Sequence, residues 1–283
     1  MKIFVTGATG QVGSQVLKIL EQQRHQVIAP TVEQLDLLDS SAVTQLVEYE
    51  KPSAIIHCAA YTAVDKAESE REVCKALNTD ATLNLARLSD KCDAVFTFVS
   101  TDYVFPGGGD QPWKEVPSLG PALNYYGYTK WQAEKAVREL PIRSIVARTQ
   151  WVYGENGNNF VETMLRLSET RSELSVVADQ IGSPTYAFDL ANALCELTLN
   201  GCEGIFHIRN SGFCSWYDFA SAIFEITNRD VKLQPVPSSQ YPTQARRPLN
   251  SRMDDSRARQ VLGAPLRNWK DALEEYISNR RTD

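Results

Sequence analysis

Tyr126-Gly127-Tyr128-Thr129-Lys130 is the segment of this chain with the most chemistry in it. Tyr126 and Lys130 stand four apart, so on a helix the phenol and the ammonium share one face. A phenol titrates at about 10 and is a poor proton donor or acceptor near neutrality. A neighbouring cation favours the phenolate, so Lys130 is expected to lower the pKa of Tyr126 and let it exchange a proton with a carbonyl or alcohol oxygen. Tyr125 and Tyr128 have no lysine four residues on. Alone, a Y-x-x-x-K pair is common on helix surfaces. Two other segments give it weight. Ser100-Thr101-Asp102-Tyr103-Val104-Phe105 follows an apolar run, which puts the hydroxyl of Ser100 or Thr101 at the carboxyl end of a strand, within reach of a reacting oxygen. Gly7-Ala8-Thr9-Gly10-Gln11-Val12-Gly13 lies between the first apolar run of the chain, residues 2–6, and a helical period. Glycine lets the backbone approach a pyrophosphate, and a helix N-terminus offers free N–H groups and a positive dipole end. The spacing is G-x-x-G-x-x-G rather than the G-x-G-x-x-G dinucleotide fingerprint, so the strand-turn-helix context carries the argument for a dinucleotide over a bare turn.

The position that would read the cofactor's ribose is less direct. After the second apolar run stand Ala29, Pro30, Thr31 and Val32, with neither an acid for a ribose 2′-OH nor a cation for a 2′-phosphate. The sequence does not choose between NADH and NADPH. Asp36 and Leu37, a little further on, suit an adenine amino group and ring, or form an ordinary loop.

These residues need a scaffold, and the first half of the chain supplies one. Apolar runs at residues 2–6, 26–29, 54–57, 94–99 and 144–147 alternate with helical periods, the last beginning near Leu123. Strand-helix alternation with continuous apolar strands predicts an α/β fold, a Rossmann-like doubly wound parallel sheet covered on both faces. Beyond Tyr153 the pattern is less regular. Helices are predicted over residues 160–167, 188–199, 215–227 and 269–277, strands over 174–177 and 204–208, and a proline-rich stretch holds Pro235, Pro237, Pro242 and Pro248. The expected division is a dinucleotide-binding domain over 1–152 and a smaller C-terminal substrate-binding lobe over 153–283, with some later segments returning to the first.

The 283 residues, 43% hydrophobic and 23% charged, exclude wholesale disorder. A net charge of −6 gives no sign of a nucleic-acid surface or a polybasic membrane patch. No apolar run is long enough to span a membrane or make an export signal, so a cytoplasmic protein is expected. Six scattered cysteines without a C-x-x-C pair read as reduced thiols, and three separated histidines form no metal cluster.

Finer motifs carry a resemblance. The glycine turn, strand-end hydroxyl and Y-x-x-x-K together resemble the extended short-chain dehydrogenase/reductase superfamily. Ala59-Ala60-Tyr61-Thr62-Ala63-Val64-Asp65-Lys66-Ala67-Glu68, Thr149-Gln150-Trp151-Val152-Tyr153, Asp179-Gln180-Ile181-Gly182-Ser183-Pro184-Thr185 and Arg247-Pro248-Leu249-Asn250-Ser251 are similar to segments of the dTDP-4-dehydrorhamnose reductase family, over nearly the whole chain. The resemblance implies a reaction: hydride from NADH or NADPH reduces the C4 ketone of dTDP-4-dehydro-β-L-rhamnose to dTDP-L-rhamnose, the last step in making this donor for cell-surface polysaccharide. It implies that Tyr126 protonates the developing alkoxide, Lys130 lowers the phenol's pKa and holds the nicotinamide ribose, and Thr101 orients the carbonyl. Gly7, Thr9, Gly10, Gln11, Val12 and Gly13 would surround the pyrophosphate, Asp36 and Leu37 the adenosine, and Ala59, Ala60, Tyr61 and Thr62 the flank of the cofactor. The sugar would meet Thr101, Asp102, Tyr126 and Trp151. Asn158, Asn159 and Phe160 would open the nucleotide-sugar pocket, and Arg246 and Arg247 would face the pyrophosphate of the dTDP-sugar.

Two departures from the family pattern stand out. His57 occupies a position where many relatives show Asn. Some members join subunits through a metal held by glutamates, but the aligned positions here are Gln15 and Phe188, so no metal is expected, while a homodimer stays open. The competing readings are another nucleotide-sugar reductase or epimerase of the superfamily, and a non-catalytic subunit similar to the regulatory subunit of methionine adenosyltransferase. Thr101, Tyr126 and Lys130 together favour catalysis.

Overall fold

The structure, a computed structural model, describes residues 1–117 and 120–280; residues 281–283, at the end of the expected second lobe, lie outside it. Six strands form one parallel sheet: β1 (Lys2–Thr6), β2 (Gln26–Ile28), β3 (Ala54–His57), β4 (Val95–Thr101), β5 (Ser144–Thr149) and β6 (Gly204–His207). Their spatial order is β6-β5-β4-β3-β1-β2. The chain runs from β1 outward to β2, then returns to place β3 on the other side of β1. The crevice between β1 and β3 is the switch point at which such sheets bind ligands.

Eight helices matter to the argument: α1 (Gln11–Gln22), α2 (Ser40–Glu50), α3 (Thr82–Lys91), α4 (Tyr125–Arg138), α5 (Phe160–Ser168), α6 (Ala187–Leu199), α7 (Trp216–Ile226) and α8 (Trp269–Asn279). Alternate residues of the sheet strands point to opposite faces, and each face is apolar. One is covered by α1 and α6, through Val16, Ile19, Leu20, Leu190 and Leu194. The other is covered by α2, α3 and α4, through Val43, Val47, Leu85, Leu88 and Val137. A separate aromatic core joins α5, α7 and α8 around Tyr153, Phe219, Trp269 and Tyr276.

Local signals start these helices where the sequence has a cap. The Asp39 carboxylate accepts from the N–H groups of Ser41 and Ala42 ahead of α2, and Ser215 and Asp218 form a reciprocal capping box on α7. The helix expected near Leu123 begins instead at Tyr125, because the Asn124 side chain accepts from Gly127 N at 2.9 Å. The proline-rich stretch holds a strand that its prolines concealed: Lys232–Val236 runs parallel to Glu173–Val177 in a two-stranded sheet. Each strand there is an edge, which is where a residue without an N–H, such as Pro235, is tolerated. β6 and α6 lie in the second half of the sequence but complete the first sheet and its cover. Among the described residues no helix is long and apolar enough to cross a membrane.

Candidate active site

A cleft of about 900 Å³ opens over the carboxyl ends of β1, β3, β4 and β5. That is the upper end of ordinary ligand pockets, roughly 300–1,000 Å³. One end is the glycine turn. Gly7 takes φ +69°, and a Cβ on Gly13 would stand 2.1 Å from the Gly7 carbonyl oxygen, so α1 packs onto the turn as closely as backbone allows. No side chain caps α1 and no acid sits in its first turn, which leaves its N–H groups and positive end facing the cleft. This cradle fits a pyrophosphate, and Asp36, Leu37, Ala59, Ala60 and Thr62 continue it along the lining. The Asp36 carboxylate also accepts from Leu38 N at 2.9 Å, which shapes its own loop.

At the other end, β4 and β5 pair Thr101 with Thr149, and Thr101 caps the turn 102–104. Helix α4 meets that turn at van der Waals limits. A Cβ on Gly127 would fall 2.2 Å from the Tyr103 carbonyl oxygen, so only glycine lets the helix bring Tyr126 up to Thr101. The Tyr103 and Tyr126 rings meet edge to face, 5.6 Å apart. Thr101 Oγ1 donates to Asp102 Oδ1 at 3.1 Å, and Ser251 Oγ donates to Asp102 Oδ2 at 2.5 Å. Burial pushes the Asp102 carboxyl up to about 6 against those hydrogen bonds. Ser100, the alternative hydroxyl, turns the other way: it donates to Glu134 Oε1 at 2.6 Å, within a buried pair in which Arg148 Nη2 meets Glu134 Oε2 at 2.6 Å. Thr101 is therefore the hydroxyl beside Tyr126.

The electrostatics of the Tyr–Lys pair differ from the expectation. Burial pushes the Tyr126 phenol above its ordinary value, opposed by a hydrogen bond with Thr101 and reinforced by the negative charge of Asp102. Lys130 is itself buried and is pulled down to about 7, with Glu134 resisting the shift. Its ammonium sits 4.1 Å from the centre of the Phe98 ring. Burial, rather than the charge of Lys130, decides the direction of the Tyr126 shift. The result is a phenol that stays protonated at neutral pH.

Thr9, Gly10, Gln11, Val12, Asp102, Trp151 and Asn158 also line the cleft. Tyr61 and Arg247 do not. The Tyr61 hydroxyl donates to Glu70 Oε2 at 2.5 Å, and its backbone N–H is held by Asn78 Oδ1 at 2.8 Å, from the π-helical turn Ala76–Ala81 that leads into α3. Arg247 is drawn to Asp65 at 2.6 Å, and Arg246 is exposed. Asn159 caps α5 and Phe160 packs on Trp216, so both support the wall rather than form it. His57 is buried between Thr6 Oγ1 at 2.6 Å and Thr82 Oγ1 at 3.0 Å, a neutral strut beneath the turn. Cys58 lines the cleft, but burial holds its thiol up at about 12, far from a nucleophile. Thr149 and Gln150 line it too; they stand in the Thr149–Tyr153 motif but were given no role from the sequence, and their place beside Trp151 at a strand end was the available signal.

The sequence pattern of the RmlD substrate binding domain matches residues 1–282. The chain is 40% identical to the spore coat polysaccharide biosynthesis protein SpsK of Bacillus subtilis, over 99% of this chain and 98% of that one. It is 38% identical to the dTDP-4-dehydrorhamnose reductase of Escherichia coli K12, over 98% and 97% of the two chains. The crystal structure of dTDP-4-dehydrorhamnose reductase from Bacillus anthracis in complex with NADP superposes with a TM-score of 0.94, at 38% identity over 99% of each chain.

Proposed function

This chain belongs to the RmlD substrate binding domain family, and from that premise we propose that it reduces the C4 ketone of dTDP-4-dehydro-β-L-rhamnose to dTDP-L-rhamnose. The observation that carries the reading is one cleft with an anion cradle at one end and Thr101, Tyr126 and Lys130 at the other, beside Trp151. When bound, the reduced nicotinamide supplies the hydride that adds to C4. The turn 7–13 holds its pyrophosphate, and Lys130 donates to its ribose. Thr101 turns its hydroxyl from Asp102 to the ketone oxygen and fixes the direction of approach. Tyr126, protonated because it is buried, gives its proton to the oxygen as negative charge develops there. Proton transfer of this kind contributes about 10²–10⁴ in rate, and orientation within the cleft adds to it. Lys130, charged in part near neutrality, stabilises the phenolate that Tyr126 becomes.

The protein works in the cytoplasm, where its six free thiols stay reduced. It acts on a dTDP-sugar, alone or as a homodimer. The test is turnover of dTDP-4-dehydrorhamnose with each reduced nicotinamide, following cofactor oxidation and assigning the product's configuration. Stoichiometric oxidation with dTDP-L-rhamnose as product is expected. A product formed without net cofactor consumption would make the protein an epimerase, and no turnover at all would make it a binding subunit.

A further inference from the structure

We propose that Gln150 is a sugar-recognising residue, whose carboxamide gives one hydrogen bond to the hexose of the nucleotide-sugar and accepts one from it. The inference rests on the activity proposed above. Gln150 is 2% exposed, and neither its Nε2 nor its Oε1 has a hydrogen-bond partner. Thr149 is 5% exposed, and its Oγ1 is likewise unpartnered. Both residues line the cleft. Three polar side-chain atoms on consecutive residues, buried and unpaired, are a costly arrangement in a protein interior unless a ligand satisfies them.

Position selects the ligand. The head group of Gln150 lies against Gly182: a Cβ built there would stand 2.6 Å from Gln150 Oε1 and 2.7 Å from the Trp151 indole. Gly182 neighbours Ile181, whose carbonyl accepts from Ser251 N at 2.8 Å, and Ser251 reaches Asp102. The amide is thus on the Asp102 side of the cleft, away from the glycine turn. Trp151 holds φ +49° and stacks on Trp216 with ring centres 3.6 Å apart, so its indole is fixed beside the amide. An aromatic face next to a group that both donates and accepts is the chemistry that recognises a sugar, whose C–H face is apolar and whose hydroxyls do both. The other cleft ligand with matching chemistry is the nicotinamide carboxamide, and a split of Michaelis constants separates the two.

The experiment is steady-state kinetics of Gln150→Met, nearly isosteric and apolar, with NADPH and dTDP-4-dehydrorhamnose each varied, alongside thermal melting without ligands. We expect KM for the sugar nucleotide to rise about 10–100-fold, the loss of one or two hydrogen bonds, with KM for NADPH changed by less than about twofold. The melting temperature should hold or rise, because the substitution removes two unpaired buried atoms. An unchanged sugar KM overturns the assignment. A rise confined to NADPH overturns it in favour of the nicotinamide. A variant that melts far below the wild type assigns Gln150 to the fold instead. Wild-type protein that does not turn the sugar over defeats the activity itself, whereas normal wild-type turnover with an unaffected variant defeats only the role of Gln150.

Discussion

Tyr126→Phe removes one oxygen from the cleft wall and leaves the ring, its edge contact with Tyr103 and helix α4 in place. Turnover should fall by about 10²–10⁴ while cofactor affinity stays, as expected for loss of a general acid. Tyr128→Phe is the control, because Tyr128 is exposed and its hydroxyl meets Gln132 on the outer face of α4. Equal losses in the two variants, or none in either, would remove Tyr126 from the mechanism. Cofactor choice is settled by single residues as well. The lining offers Pro30 and Val32 where a ribose partner would stand, and Lys130 is the only cation along its described length. NADH and NADPH should therefore both support reduction. A preference beyond about a hundredfold, roughly 2.7 kcal/mol, in kcat/KM would mean that some other residue reads the 2′ position.

At the scale of elements, the site depends on how closely α4 approaches the turn after β4. Gly127→Ala places a methyl group against the Tyr103 carbonyl, and something must move. The helix carries both Tyr126 and Lys130, so a shift of about an ångström should cost about a hundredfold in turnover, with a destabilisation of about 1–3 kcal/mol. Gly108→Ala, where the added methyl meets nothing, should leave activity and melting temperature alone. Wild-type rates in Gly127→Ala would show that the contact does not position the site. The sheet and most helices were legible because buried parallel strands are continuous apolar runs and because Asp39 and Ser215 announce helix starts. The strand 232–236 was not, because proline reads as a breaker and only tertiary placement shows that its missing N–H faces no partner. Tyr61 and Arg247 sit in the right motifs, but Glu70 takes the Tyr61 hydroxyl and Asp65 one guanidinium nitrogen of Arg247, and such pairings join segments that the sequence does not show as neighbours. The Tyr126 shift was read with the wrong sign because spacing reports proximity to Lys130 and says nothing of burial.

For the molecule as a whole, acid should be a stress. Burial holds His57 and His207 neutral down to about 3, with Lys130 and Arg148 respectively opposing their protonation. In the unfolded chain each takes a proton at about 6.5. Unfolding between those values therefore absorbs protons. The stability is fully present above about pH 6.5 and falls on acidification by up to about 1.4 kcal/mol per pH unit for each ring. Asp102 works in the opposite sense: its folded value of about 6 lies above the unfolded one, so it stabilises on acidification between about 6 and 4 and offsets one ring there. Melting curves from pH 7.5 to 4.5 should show the decline, and His57→Asn should flatten it; an unaltered slope would mean that His57 is protonated in the fold. Metal removal should be neutral. Among the described residues no group of three or more His, Cys, Asp or Glu gathers to hold an ion, Gln15 meets Glu155 at 3.4 Å, and Phe188 packs on Tyr186. Activity, and any dimer, should survive chelation. Turnover abolished by a chelator and restored by magnesium would reverse that conclusion.

The packing of α1 against α6 also orders events during synthesis. Helix α1 is made well before the helix that shares its face of the sheet, which ends at Leu199, and β6 follows only at Gly204–His207. At roughly 5–20 residues per second, Val16, Ile19 and Leu20 wait about 10–35 s for that cover. The cofactor cradle is thus made long before the helix that covers its back and cannot mature until that helix has emerged, so a nascent chain stalled before residue 199 presents the apolar face of α1 to chaperones rather than a dinucleotide site.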